Sequence, residues 1–283
     1  MAIKFVTDSA SDITLAEAKE LGVRLVPLTV SFGGVEYADG LELSHRGFFE
    51  KLIESDAMPT TSQVSPSAFS EVFSELTAYG DELVVITLSS KLSGTYQSAC
   101  IAAEDFPGRV HVVDSLSATM GERLLVIEGL RLAREGVSAE ETAKTLEAYR
   151  SQICVLGMLD TLEYLKKGGR ISAATAFAGE LLAIKPVITL DDGEVKLIGK
   201  ARGSKNGNNL LRKLIAERGG ADVSRPFTLA YSGLSDETLK KYIADSSDLW
   251  PGEESELPIS TIGCVIGAHI GPGAIGLAFF AKG

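Results

Sequence analysis

Residues 82–103 read ELVVITLSSKLSGTYQSACIAA, and the fold follows from how this stretch divides. Residues 82–90 begin as a continuous apolar strand run, the pattern of a strand covered on both faces in a parallel sheet. Hydroxyls, Lys91 and Gly94 follow at once, and a helix is predicted from about Gly94. Working outward, the same order recurs on both sides. Upstream, IKFV ends at Thr7-Asp8-Ser9 and gives way to LAEAKELG, a helix with a capping box from Thr14 and Glu17 and a left-handed close at Gly22. VRLVPLTVSF reads as one strand run, followed by a Gly33-Gly34 turn and a helix opening near Ser44. PTTSQ reads as a polar loop before a helix that starts at Pro66. Downstream come the strand RVHVVDS and the helices LSATMGERLLVIEGLRLAREG and SAEETAKTLEAYRSQ. Strands alternating with helices this long require right-handed crossovers and a parallel sheet.

Near residue 150 the texture changes. ICVLGML reads as a strand, TLEYLKKGG as a short helix ending in glycines, and SAATAFAGELLA as a helix of small residues. KPVITLDDGEVKLIGKARG reads as a hairpin about Asp192-Gly193. A helix from about Ser204, the strand FTLAYSG, the helix SDETLKKYIADSSD and a glycine-rich tail of buried strands and loops complete the chain. The expected fold is therefore α/β with two domains. Residues 1–150 form a doubly wound parallel-sheet domain, and residues 151–283 a smaller mixed α+β domain.

Composition bounds the function. The chain has 283 residues, 45% hydrophobic and 23% charged, with a formal charge of −11. The charge repels a phosphate backbone, so nucleic acid is not an expected partner. Cys100, Cys154 and Cys264 are odd in number and far apart, which offers neither a disulfide framework nor a metal knuckle and suits a reducing, cytoplasmic setting. No signal peptide or membrane-spanning run is expected.

Ligands of open α/β sheets sit at the carboxyl ends of the strands. Four polar clusters fall there: Thr7 to Ser9, Thr60 to Gln63, Ser89 to Thr95, and Asp114-Ser115. Hydroxyls and unpaired N–H groups at a helix start can hold an anion, or can simply cap their own helix. Asp8 and Asp114 are more simply caps. His45 and His111 read as structural, and His269, in GAHIGPGAIG, either as a core histidine or as a ligand. Lys166, Lys167 and Arg170 read as a solvated helix end, and Arg202 as an anion ligand or a surface charge. The sequence has no GxxxxGK(S/T) phosphate loop, no GxGxxG opening a helix after the first strand, no GxSxG elbow and no HExxH. Ser93 with His269 and Asp114 would still allow a hydrolase.

Taken in order, TDSASDIT, PTTSQVSP, LSSKLSGTYQSA, VVDS, DTLEYLKKGGRIS, KPV and IGAHIGPGAIG resemble the DegV family over nearly the whole chain. The resemblance implies an N-terminal domain shared with a dihydroxyacetone kinase domain, a C-terminal α/β lid, and one long-chain fatty acid bound between them as ligand, with no further cofactor. It implies that Thr61 and Ser93 hold the carboxylate, that Ser62 and Gly94 add donors, and that His269 stands near it. A non-catalytic carrier of this kind presents its acid to a fatty acid kinase for acyl phosphate formation, with transient contact at a membrane surface. Arg202 falls where members carry a basic residue for that kinase, although KARGSKNG is less basic than usual. SAATAFAGELLA and the glycine-rich tail would wall a dry tunnel. The competing expectation is an enzyme, either a small-polyol kinase or an acyl-ester hydrolase using Ser93 and His269.

Overall fold

The computed structural model describes residues 2–55, 57–172 and 183–282. In chain order the first half forms β1 (Ile3–Asp8), α1 (Leu15–Leu21), β2 (Val23–Val26), β3 (Thr29–Phe32), β4 (Val35–Ala38), α2 (His45–Glu54) and β5 (Thr60–Ser62). It continues with α3 (Pro66–Thr77), β6 (Glu82–Thr87), α4 (Thr95–Ala103), β7 (Val110–Asp114), α5 (Met120–Arg134) and α6 (Ala139–Tyr149). The second half adds β8 (Ile153–Met158), α7 (Glu163–Lys167), β9 (Ile184–Asp191), β10 (Glu194–Arg202), α8 (Ser204–Glu217), β11 (Thr228–Tyr231), α9 (Glu237–Asp245), β12 (Ile259–Thr261), α10 (Cys264–Ile270) and β13 (Ile275–Phe280).

Strands β2-β1-β6-β7 make a sheet in which every pairing is parallel. Its two faces read directly from the period-2 alternation of its strands. Val6, Leu83 and Val85 pack on one side with Phe69, Phe73, Ala99 and Ala102 of α3 and α4. Phe5, Val84 and Ile86 pack on the other with Leu125, Val126 and Leu146 of α5 and α6. The sheet is thus covered by helices on both faces, and its strand order changes direction between β1 and β6, where an α/β crevice opens. The second sheet, β10-β9-β8-β13-β11-β12, is antiparallel except for β11 and β12. One of its faces buries Leu156, Met158, Leu211, Tyr242 and Phe279 against α8 and α9.

Local signals account for most boundaries. Thr14 and Glu17 form the capping box, Gly22 closes α1 at φ 71°, and Ser65 caps α3 ahead of Pro66. Asp192 and Gly193 both have positive φ, which is the geometry of a tight hairpin turn.

Four expectations are corrected. VRLVPLTVSF is two strands in different sheets, because the chain turns at Pro27-Leu28; β3 joins β4 and β5 in a small antiparallel sheet. PTTSQ contains the strand β5 rather than a plain loop. The helix read from Leu116 starts only at Met120, since Leu116 and Thr119 have positive φ. The glycine-rich tail contains the helix α10 between its strands, where glycine serves close packing. SAATAFAGELLA lies, over residues 173–182, outside the described residues.

Gly267 of α10 sets the depth of that packing. A Cβ there would stand 2.8 Å from Phe48 Cε1 and 2.9 Å from Phe49 Cζ, and both rings are buried, at 0% and 1% exposure. Gly267→Ala is therefore expected to destabilise by about 1–3 kcal/mol through overpacking, despite alanine's better helix propensity. A denaturant midpoint equal to or above the wild type's would contradict this.

Candidate functional site

A cavity of about 110 Å³ lies between the segments that follow β2 and β6 and the inner face of the six-stranded sheet. One water needs only roughly 10–15 Å³ on this measure, so the cavity is sized for something larger. Its walls are mostly aliphatic: Leu88, Leu159, Ile188, Leu190, Ile262 and Ile266 are representative. The β9–β10 hairpin contributes Ile188, Leu190 and Val195 to it, and the hairpin's turn is held where Ser89 Oγ donates to Gly193 O at 2.8 Å. Lining polar groups include Thr61, Ser62, Gln63, Ser93, Arg170 and His269.

These residues come from four separate pieces of chain. Thr61 sits on β5, opposite Val30 of β3. Its Oγ1 is 2.9 Å from His269 Nε2 on α10, across 208 residues of sequence. Ser93 stands in the loop after β6, where its Oγ lies 3.0 Å from Thr95 Oγ1 and accepts from Thr95 N. Thr95 Oγ1 in turn accepts from Val64 N at 3.3 Å, and Gln63 Nε2 donates to Ser98 Oγ at 2.9 Å, so the β5 and α4 arms are stitched together. Gly94 opens α4 directly beneath Gln63. A Cβ at Gly94 would stand 2.2 Å from Gln63 Oε1, so any larger residue there has to displace the Gln63 amide. Arg170 donates from Nε to Leu92 O at 3.2 Å and from Nη1 to Gly168 O at 2.6 Å.

The electrostatics of this end are one-sided. Arg170 is the only charged side chain among the described lining residues, and no carboxylate joins it. Burial, reinforced by the Arg170 charge, pushes the His269 imidazole down to about 4, so it is neutral at pH 7. Its Nδ1 is buried, has no hydrogen-bond partner among the described residues, and faces Gly168, where a Cβ would approach it to 2.2 Å. A neutral imidazole, two hydroxyls and one guanidinium at the end of an apolar bore can hold a small anionic group attached to a long apolar body.

The residues expected from sequence divide clearly. Thr61, Ser62, Ser93 and His269 line one cavity, and Gly94 adjoins it. Asp114 does not join His269: its Oδ1 accepts from Ser90 N and Leu116 N, so the Ser93, His269 and Asp114 arrangement is not assembled. Arg202 is exposed at the end of β10 and outside the cavity lining. His45 bonds Thr261 and His111 faces Glu82, each a contact between neighbouring elements. Arg170 was the omission. It follows α7 and its glycines as a solvated helix end would, but Gly169, at φ 71°, turns the chain back and brings the side chain inward. The apolar Ile171 immediately after it was the available signal. Among the described residues, no group of three or more potential metal ligands occurs, and no helix is long and apolar enough to cross a membrane.

Known proteins share this architecture. The chain is 38% identical over 282 residues to a DegV domain-containing protein of Deinococcus radiodurans, with 98% of each chain covered. Among solved structures it matches one titled for the fatty acid binding of a DegV family protein from Thermus thermophilus, at TM-score 0.88 and 38% identity over 100% of both chains. It also matches a DegV family protein from Eubacterium eligens loaded with heptadecanoic acid, at TM-score 0.84 and 27% identity, over 99% of this chain and 100% of that one. A family model described as "Uncharacterised protein, DegV family" matches residues 2–282, and on that span and these identities the chain belongs to the DegV family.

Proposed function

We propose that this protein is a cytoplasmic carrier that binds one long-chain fatty acid between its two halves, divided near residue 150, and presents the carboxylate to a fatty acid kinase. The observation that carries this reading is the cavity itself, aliphatic along its walls, with Arg170 as its lone described charge beside Thr61, Ser93 and His269. In this reading the Nε2–H of the neutral imidazole donates to Thr61 Oγ1. That frees the Thr61 hydroxyl hydrogen for the carboxylate, while Ser93, Ser62 and the N–H groups near Gly94 add donors. Burying about fifteen methylenes contributes a gross gain of roughly 12 kcal/mol, most of it offset by the cost of association, so the tail supplies affinity and the polar end supplies orientation. The solved relatives described with fatty acids support the ligand class. Arg202, exposed on the outer end of β10, is the residue assigned to the kinase contact, and delivery to the kinase or exchange at a membrane surface leaves the carrier without chemistry of its own.

Organic extraction of the purified protein followed by mass spectrometry tests the reading: about one equivalent of fatty acid per chain is expected. An empty extract, together with no uptake of a fluorescent fatty acid by the delipidated protein, would overturn it. Turnover of an activated ester that disappears in His269→Ala would instead establish a hydrolase.

A further inference from the structure

The TDSASD segment, residues 7–12, is a prominent motif that the carrier reading leaves without a role. Its side chains are almost wholly withdrawn from water: Asp8 is 0% exposed, Ser11 0% and Asp12 1%. Three of them bond to backbone N–H groups of distant segments. Asp8 Oδ2 accepts from Leu88 N at 2.9 Å, Ser9 Oγ from Leu28 N at 3.0 Å, and Asp12 Oδ1 from Gly263 N at 2.9 Å. Each of those segments leads to one polar arm of the cavity. Leu88 begins the loop that carries Ser93. Leu28 precedes β3, whose Val30 pairs with Thr61. Gly263 is the N-cap of α10, which carries His269. The remaining acceptors are also used, since Asp8 Oδ1 holds Ala10 N and Asp12 Oδ2 holds the Thr119 hydroxyl. Leu28, Leu88 and Thr119 themselves line the cavity.

We infer that residues 7–12 are the hub that keeps Thr61, Ser93 and His269 in mutual register, with Asp8 and Asp12 as positioning residues for Ser93 and His269 respectively. The inference rests on the carrier reading for the ligand and on the hydrogen bonds for the coupling. A carboxylate suits this task because its two oxygens can each accept from a different segment, and burial deprives those N–H groups of water as an alternative. Serine at position 9 needs only one acceptor, for Leu28. The arms lie on short, stiff paths from their pins, a tight loop for Ser93 and a single helix for His269. Releasing a pin therefore shifts the arm rather than being absorbed along the way, and a shift on the order of 1 Å is enough to spoil oriented polar contacts.

The test is a pair of mutant cycles on the delipidated full chain, reading hexadecanoate affinity by displacement of a fluorescent fatty acid. Asp8→Asn is nearly isosteric but turns an NH2 group toward one of two backbone donors. It is expected to weaken binding about tenfold in the wild-type background and less than about twofold when Ser93→Ala is already present, because an arm already removed cannot be misplaced. With His269→Ala its effect should stay near tenfold. Asp12→Ala should show the opposite pattern, coupled to His269→Ala and additive with Ser93→Ala. Asp12→Asn, which keeps an acceptor for Gly263 while the Thr119 hydroxyl rotates to accept, should recover most of the affinity. If Asp12→Ala does not fold, the Asp8→Asn cycle decides alone. Equal effects of Asp8→Asn in all backgrounds would mean general loosening of the fold and would overturn the hub. A wild-type protein that binds no fatty acid would overturn the carrier reading and the inference with it.

Discussion

On the carrier reading, Thr61→Ala combined with Ser93→Ala is expected to lower the affinity for a sixteen-carbon acid by about a hundredfold or more, with the apolar cavity and the fold intact. In that reading each hydroxyl donates to a carboxylate held away from water, worth about 1.5–3 kcal/mol as a charge-assisted bond, so two losses span at least two decades. Thr61 is expected to carry the larger share, because its removal also strips His269 Nε2 of its 2.9 Å partner in an imidazole whose Nδ1 has none among the described residues. Fluorescent fatty acid displacement measures the loss, and circular dichroism establishes that the double variant is folded. Unchanged affinity in a folded double variant would place the anion elsewhere and remove these hydroxyls from the site.

The second large effect is on stability in acid. In the unfolded chain His269 ionises near the ordinary value of 6.5, whereas burial and Arg170 push it down to about 4 in the fold. Between those values the unfolded chain takes up a proton that the folded chain does not, so this group's contribution is lost as pH falls from about 6.5 to about 4, by up to roughly 3 kcal/mol. His269→Gln titrates in neither state. Wild type should therefore lose roughly 3 kcal/mol relative to that variant between pH 7 and pH 4 in urea unfolding. Asp8 and Asp12 are present in both proteins, so whatever their buried carboxyl groups contribute cancels in the difference. A stability difference that stays flat across this range would mean the imidazole is not desolvated as the geometry requires.

The sequence alone determined the elements whose cause is local. The apolar run of residues 83–88 specified a doubly covered strand, Thr14 with Glu17 a capping box, Ser65-Pro66 a helix start, and Asp192-Gly193 a hairpin, because each depends on residues within one or two turns of chain. The candidate site residues Thr61, Ser62, Ser93, Gly94 and His269 came from the resemblance to the DegV family, because the local pattern alone reads equally well as caps, a loop and a core histidine. Tertiary structure decided what depends on meeting distant chain. Pro27 divides one apolar run between two sheets because the two halves find different partners. The glycine-rich tail becomes a helix because Gly267 can press against Phe48 and Phe49, a fit that glycine's own low helix propensity conceals. Arg170 faces the cavity only because Gly169 turns the chain back. Asp114 is bound to the N–H groups of Ser90 and Leu116 and so stands apart from His269, which instead meets Thr61. Local sequence sets which side chains are available at the ends of strands and helices. Packing of the two sheets across the cavity sets which of them touch.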